Sequence, residues 1–314
     1  MTATRPRVRH TYLSHHLDST RWESYTPRDD DVVIATYIKS GTTWMQAIVS
    51  HLIFQDLQAR SLMEVSPWID TSLWPITRVE LAKLLDAMEH RRFLKSHLPL
   101  DGLPFYPAVK YIVVGRDARD VFLSLWNHYR NYTPEFYERA NQPAHIKRPL
   151  PPCPVDIREF WRQWTTRGWF AWESQGYPFW SILHHTQTWW DFRHLPNILF
   201  VHYNDLLQDL EGEIRRVARY LEIDASEELL SRIAHAVSFG TMKRQADRLV
   251  PDHEVTFSSG ARVFVNKGTT GRWRAVLDEE DLKLYEAAVA RELPSDCARW
   301  LENGRLVNSE ASTS

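Results

Sequence analysis

Asp31-Val32-Val33-Ile34-Ala35-Thr36-Tyr37-Ile38-Lys39-Ser40-Gly41-Thr42-Thr43-Trp44 decides the fold of this 314-residue chain. Asp31 to Tyr37 is a short, apolar, β-branched run, the pattern of a buried strand. Gly41 permits a tight turn and close backbone approach. Beyond it Met45, Ile48, Val49, Leu52 and Ile53 recur at helical spacing. Backbone N–H groups at such a helix start, helped by the helix dipole, can cradle an anion. Lys39 adds a positive charge, Ser40, Thr42 and Thr43 add hydroxyl donors, and Trp44 offers a flat face for stacking a base. A Walker A loop needs Gly-x-x-x-x-Gly-Lys-Ser/Thr. Here the lysine precedes the glycine, and no glycine stands upstream at the required place. Taken alone, the stretch reads as an ordinary β–α turn.

Working outward, the same pattern recurs. Arg92–Lys95, Tyr111–Val114 and Asn197–Tyr203 are further strand candidates. Asp120 caps or begins a helix with Val121, Leu125 and Tyr129 on its apolar face. Leu210, Ile214, Val217 and Leu221 mark another. Apolar strands alternating with amphipathic helices predict an α/β fold: a single domain with a central parallel β-sheet flanked by helices. Ligands of such sheets bind at the carboxyl ends of the strands. Lys39 to Trp44, His97, Arg116 and Tyr203 all fall at or just past those ends. Residues 1–30 read as an N-terminal arm, 31–305 as the domain and 306–314 as a flexible tail. Within the domain, residues 132–156 hold Pro134, Pro143, Pro149, Pro151, Pro152 and Pro154. That density excludes a regular helix across the segment and marks an insertion or a lid.

Composition narrows the function classes. A net charge of −2 gives no basic field for nucleic acid, so any anion site must be local. Cys153 and Cys297 make no disulfide framework and fit a reducing compartment, the cytoplasm. No apolar run approaches the roughly 20 residues of a membrane span. Met1 to His10 carries Arg5, Arg7 and Arg9 without a following apolar stretch, unlike a secretory signal. No His, Cys and carboxylate set has metal-ligand spacing. Most of the tryptophans are expected to fill the core, with a few lining an apolar pocket. His15, His16 and His202 read as structural. His184 and Trp189-Trp190 read as core on a helix before the fourth strand.

Companion motifs give the loop its meaning. Thr36 to Trp44 resembles the 5′-phosphosulfate loop of the cytosolic-type sulfotransferases that use PAPS (3′-phosphoadenosine-5′-phosphosulfate), and the resemblance runs from about Arg9 to Trp300. Lys95-Ser96-His97-Leu98-Pro99 is similar to the family's Lys-Thr-His-Leu-Pro, whose histidine is the catalytic base. Ser66-Pro67-Trp68 resembles its acceptor-side Pro-Trp segment. Arg116 to Ser124 resembles the 3′-phosphate segment, and Tyr203-Asn204-Asp205 the Tyr-Glu-Asp whose tyrosine contacts adenine. Ser238-Phe239 to Met242-Lys243 resembles an adenine-site segment. Lys267-Gly268-Thr269-Thr270-Gly271-Arg272-Trp273-Arg274 resembles the C-terminal motif that closes over the 3′-phosphate, and its style is that of bacterial members. The sequence departs from the family at Val237, often threonine there, and at Asn266, usually arginine.

The resemblance implies a sulfotransferase fold with a P-loop-like phosphosulfate-binding loop. It implies PAPS as donor, PAP as product, and no metal. His97, Lys39 and Lys95 are then the catalytic residues: a neutral imidazole takes the hydroxyl proton, and the lysines offset charge on the leaving oxygen. Lys39, Ser40, Gly41, Thr42, Thr43, Trp44, Arg116, Ser124, Tyr203, Ser238, Phe239, Phe264, Asn266, Lys267 and Gly268 would bind the donor. An arginine can grip phosphate in a bidentate way. The alternative for Arg116 is an ion pair with Asp117 or Asp120. Trp68, Phe105, Tyr106 and Tyr132 would line the site of a small hydroxyl acceptor, apolar or phenolic, with a glycolipid as the alternative. The family's dimer motif is not evident, which leaves the oligomeric state open. A P-loop kinase and a non-catalytic nucleotide-binding protein on the same fold are the rival readings.

Overall fold

The computed structural model describes residues 5–144, 146–249, 253–258, 260 and 268–306. β1 (Val32–Thr36) feeds α1 (Thr42–Phe54). The short helix α2 (Leu62–Val65) and α3 (Arg78–Asp86) precede β2 (Phe93–Ser96). β3 (Lys110–Gly115) leads into α4 (Ala118–Tyr129), followed by α5 (Pro134–Asn141), α6 (Ile157–Thr166) and α7 (Ile182–Trp190). β4 (Ile198–His202) opens directly into α8 (Tyr203–Gln208) and α9 (Leu210–Tyr220). Then come α10 (Glu227–Ala236), α11 (Phe239–Arg244), α12 (Ala246–Leu249) and α13 (His253–Thr256). Helices α14 (Glu279–Glu292) and α15 (Ser295–Asn303) close the described chain.

The four strands pair in the order β2-β1-β3-β4, all parallel. Register aligns Ala35 with Ser96, Thr36 with Val114, and Gly115 with His202. The carboxyl ends therefore finish side by side. Side chains alternate between faces, and both faces are covered. Val32, Ile34, Phe93, Ile112 and Val114 pack with Met45, Ile48 and Leu52 of α1 and with α9 and α10. Val33, Ala35, Leu94, Tyr111 and Val113 pack on the other side with Tyr37, Trp180 and Trp189. This two-sided burial is why the strands read as continuous apolar runs. Each fully buried Val, Ile or Leu contributes about 1.5–3 kcal/mol.

Two details differ from the sequence expectation. Asp117, not Asp120, caps α4, accepting the Arg119 N–H. And the proline-rich segment contains a helix after all. Pro134 sits at the first position of α5, where its missing N–H costs nothing, and the Thr133 side chain accepts from Phe136 N. The predicted exclusion of helix holds only for the prolines further on.

Candidate active site

The β1–α1 turn is built for an anion. Lys39 and Gly41 both adopt positive φ, 70° and 109°. A Cβ at Gly41 would sit 3.2 Å from the Tyr203 ring, so glycine is needed twice over. Gly41 is also the N-cap of α1 and supplies no side-chain hydrogen bond. The helix thus starts with its orphan N–H groups uncapped. Gly41, Thr42, Thr43 and Trp44 line a cavity of about 600 Å³ at the carboxyl end of the sheet. Ser40 is buried behind this wall. The Thr42 hydroxyl is anchored to that of Thr36 at 2.6 Å.

His97 lies one residue beyond β2, buried, on the wall of the same cavity. Its Nδ1 is 2.7 Å from the Thr36 carbonyl oxygen, which can only accept. The proton therefore sits on Nδ1, and Nε2 presents a lone pair. Burial, then nearby Lys95, hold the imidazole well below its usual pKa, so it is neutral. Trp68 stands edge-on to it at 4.8 Å. A buried carboxylate organises this corner. Asp70 Oδ1 accepts from Trp68 Nε1 (2.6 Å) and His97 N (3.1 Å), and Oδ2 from Trp22 Nε1 (2.9 Å) and Ser96 Oγ (2.5 Å). Lys95 lies over the Trp68 ring at 4.4 Å. Burial lowers the Lys95 pKa to about 8, with Asp70 opposing the shift. Lys39 is pushed down to about 7 by burial, then by Arg116 and Lys95.

At the other end of the cavity Arg116 donates to the carbonyls of Lys39 (3.2 Å) and Thr269 (3.3 Å) and stacks on Tyr203 at 4.2 Å. Its Nε is buried and unpartnered, as is Trp44 Nε1. The alternative ion pairs do not form. Asp117 is taken by Arg119, and Asp120 accepts from Gly271 N at 2.8 Å. Ser124, Phe239 and Gly268 line this end. Ser238 does not; its hydroxyl donates to Thr241. Phe264, Asn266 and Lys267 lie outside the described residues.

Trp68 and Tyr132 line the cavity, together with Trp74 and Phe136. Phe105 and Tyr106 do not. Phe105 stacks on Tyr111 and Tyr106 packs against Tyr25, at the amino end of β3, away from the cavity. His16, read as structural, is buried and also stands on the cavity wall. Its role follows from donor accounting. His15 Nε2 faces the Pro178 carbonyl at 2.9 Å and so carries a proton. His15 Nδ1 must then accept from His16 Nδ1, leaving His16 Nε2 to accept the Tyr132 hydroxyl proton at 3.3 Å. Tyr132 thus offers lone pairs to the cavity. Asp70, His16, Phe136, Arg139 and Phe257 were missed by the sequence reading. Asp70 stands two residues after Trp68, but nothing local distinguishes it.

An uncapped helix start at a β–α turn, a buried neutral imidazole at the neighbouring strand end and Arg116 at the far end of the cavity form a site that can bind an anion and accept a proton beside it. A family model described as a sulfotransferase domain matches residues 29–295. A glycolipid sulfotransferase of Mycobacterium bovis is 33% identical over 319 residues, covering 94% of each chain. Human sulfotransferase 1E1 is 31% identical over 278 residues, covering 84% of this chain and 85% of its own. Retinol dehydratase, solved with retinol and PAP, superposes with a TM-score of 0.67 at 25% identity, covering 88% of this chain and 84% of its own. A mouse sulfotransferase complexed with PAP shares the fold, with a TM-score of 0.69 at 21% identity over 94% of this chain and 99% of its own. The chain belongs to the sulfotransferase family, and it is a PAPS-dependent sulfotransferase. Among the described residues no helix is long and apolar enough to cross a membrane.

Proposed function

We propose that the chain sulfates a hydroxyl on an apolar alcohol or phenol, with His97 as general base. The observation that carries this reading is the His97 tautomer: Nδ1–H is committed to the Thr36 carbonyl, so a neutral Nε2 remains to take a proton. The residues present suit the donor. The uncapped start of α1 and Lys39 favour a phosphosulfate, and buried, unpartnered N–H groups on Arg116 and Trp44 favour a ligand with acceptor atoms. A volume of about 600 Å³ is ordinary for two small molecules meeting end to end. PAPS supplies the sulfuryl group and leaves as PAP.

The chain's own residues divide the work. His97 Nε2 receives the acceptor's hydroxyl proton. Lys39 and Lys95 set positive charge where negative charge grows on the leaving oxygen. Asp70 fixes the backbone of His97 and the ring of Trp68. Arg116 and Ser124 hold the 3′-phosphate, while Tyr203 and Phe239 flank the base. Tyr132 and Trp68 orient the acceptor. Alignment of these groups supplies much of the acceleration. A glycolipid acceptor is the second reading, supported by the near-full-length likeness to mycobacterial glycolipid sulfotransferases.

His97→Ala is expected to abolish labelled sulfuryl transfer to a panel of phenols and alcohols while calorimetry shows PAP still bound. Turnover retained in that variant removes His97 from the mechanism. Tight ATP binding that depends on Mg²⁺, with none of PAP, would instead favour a kinase.

A further inference from the structure

The acceptor end of the cavity holds a cation that the transfer step does not use. Arg139, in the last turn of α5, lines the cavity beside Phe136 and Tyr132. Among the described residues its guanidinium donates one hydrogen bond, from Nη2 to Thr256 Oγ1 at 3.2 Å, and it lies 5.7 Å from the Phe136 ring. Its Nε is buried and has no partner. Among the described residues no carboxylate pairs with it. The only carboxylate among the described cavity-lining residues is Asp120, at the donor end and already bonded to Gly271 N. Asp70, below the wall, is saturated by four donors. The other titratable groups facing this region are His16 and His128, both held neutral mainly by burial, and Lys95, committed to the reacting end.

A guanidinium has five N–H donors in a fixed fork matched to a carboxylate, sulfate or phosphate. Half-buried, with one donor used and no counter-charge among the described residues, Arg139 is an incomplete ion pair. It belongs to the acceptor arm, because its charge bears on His16, and Arg116 and Tyr203 lie on the other arm. We propose that Arg139 is an anion subsite: the molecule sulfated carries, besides its apolar body and its reacting hydroxyl, an oxyanion that pairs with this guanidinium. The acceptor is then an amphiphilic hydroxy acid rather than a neutral alcohol. This rests on the reading that the Trp68–Tyr132 arm takes the acceptor.

The test compares an ω-hydroxy fatty acid with its methyl ester as acceptors, at saturating PAPS, in wild type, Arg139→Gln and Arg139→Lys. Loss of one charge-assisted hydrogen-bonded pair corresponds to roughly a ten- to hundred-fold change. Wild type is expected to show a KM for the acid at least about ten-fold below that for the ester. Arg139→Gln should erase that difference with little change in kcat, and Arg139→Lys, which keeps the charge and the helix, should restore part of it. Equal treatment of acid and ester by wild type overturns the subsite, as does an equal loss for both in Arg139→Gln. If neither compound is sulfated, the acceptor reading itself is at fault. Calorimetry of the acid against the PAP complex then decides: binding lost in Arg139→Gln keeps the subsite, and binding absent from wild type ends it.

Discussion

Replacing Asp70 with asparagine separates charge from scaffolding at the catalytic corner. The carboxylate accepts two donors on each oxygen. An amide has one acceptor oxygen. Its best placement keeps Trp68 Nε1 and His97 N satisfied and turns the NH₂ toward Trp22 and Ser96. The serine hydroxyl can rotate to accept, but the Trp22 indole N–H cannot. One buried donor is left unpaired, at a cost of about 1–3 kcal/mol, and Tm should fall by a few degrees. The second effect is electrostatic. Asp70 is what raises the Lys95 pKa against burial, and it stands at about 8. At pH 7.5 about three-quarters of Lys95 is charged; a drop of about one unit leaves about a quarter, a threefold loss before any misplacement of His97. The ratio of variant to wild-type kcat/KM for PAPS should therefore stay near one at pH 6, where Lys95 is charged in both, and fall steadily to about a tenth by pH 9. Taking the ratio cancels Lys39, which titrates at about 7. A ratio that stays flat from pH 6 to 9 would refute the charge argument and reduce Asp70 to packing.

Two further predictions follow from the donor arm. Wild-type kcat/KM for PAPS should decline as pH rises through about 7, because Lys39 loses its charge there, and no acid limb from His97 should appear above pH 6. Lys39→Arg, which stays charged, should move that decline up to about 8, where Lys95 titrates, even if the absolute rate is lower, and a limb left at about 7 would reassign it. Gly268→Ala places a Cβ 2.3 Å from the Phe239 ring at a φ of 66°, so the ring must move. PAP affinity by calorimetry should drop about ten-fold, comparable to the lower part of the roughly 1–3 kcal/mol cost of overpacking; unchanged affinity would detach Phe239 from the base.

The sheet was legible because its physics is local. β1 to β4 are apolar runs ended by turn residues, and the observed strands fall within a residue or so of the predicted ones. The β1–α1 loop was legible because Gly41 and the following helical spacing need no distant partner. His16 was not, since a histidine buried beside another histidine and a tyrosine 116 residues away leaves no periodic trace. Phe105 and Tyr106, expected at the acceptor site, instead pack on Tyr111 and Tyr25 at the amino end of β3. Only the carboxyl end of a parallel strand opens on the cavity. In the proline-rich segment, counting prolines hid the one position where proline starts a helix.

Net charge was the least informative quantity of all. The chain totals −2, yet the described cavity wall sets Lys39, Lys95, Arg116, Arg139 and Arg272 against Asp120 alone. The fold takes its acids elsewhere: Asp31 to Arg92, Asp117 to Arg119, Glu213 to Arg216 and Arg305. The consequence shows in the two lysines, depressed to about 7 and 8 chiefly because burial makes their charge costly. By linkage, whatever depresses those pKa values in the free protein is returned when an anion arrives and restores the charge. The cationic surplus is thus a stored preference for a phosphosulfate. It resides in which side chains the strand ends set around one cavity, a property of topology that composition does not carry.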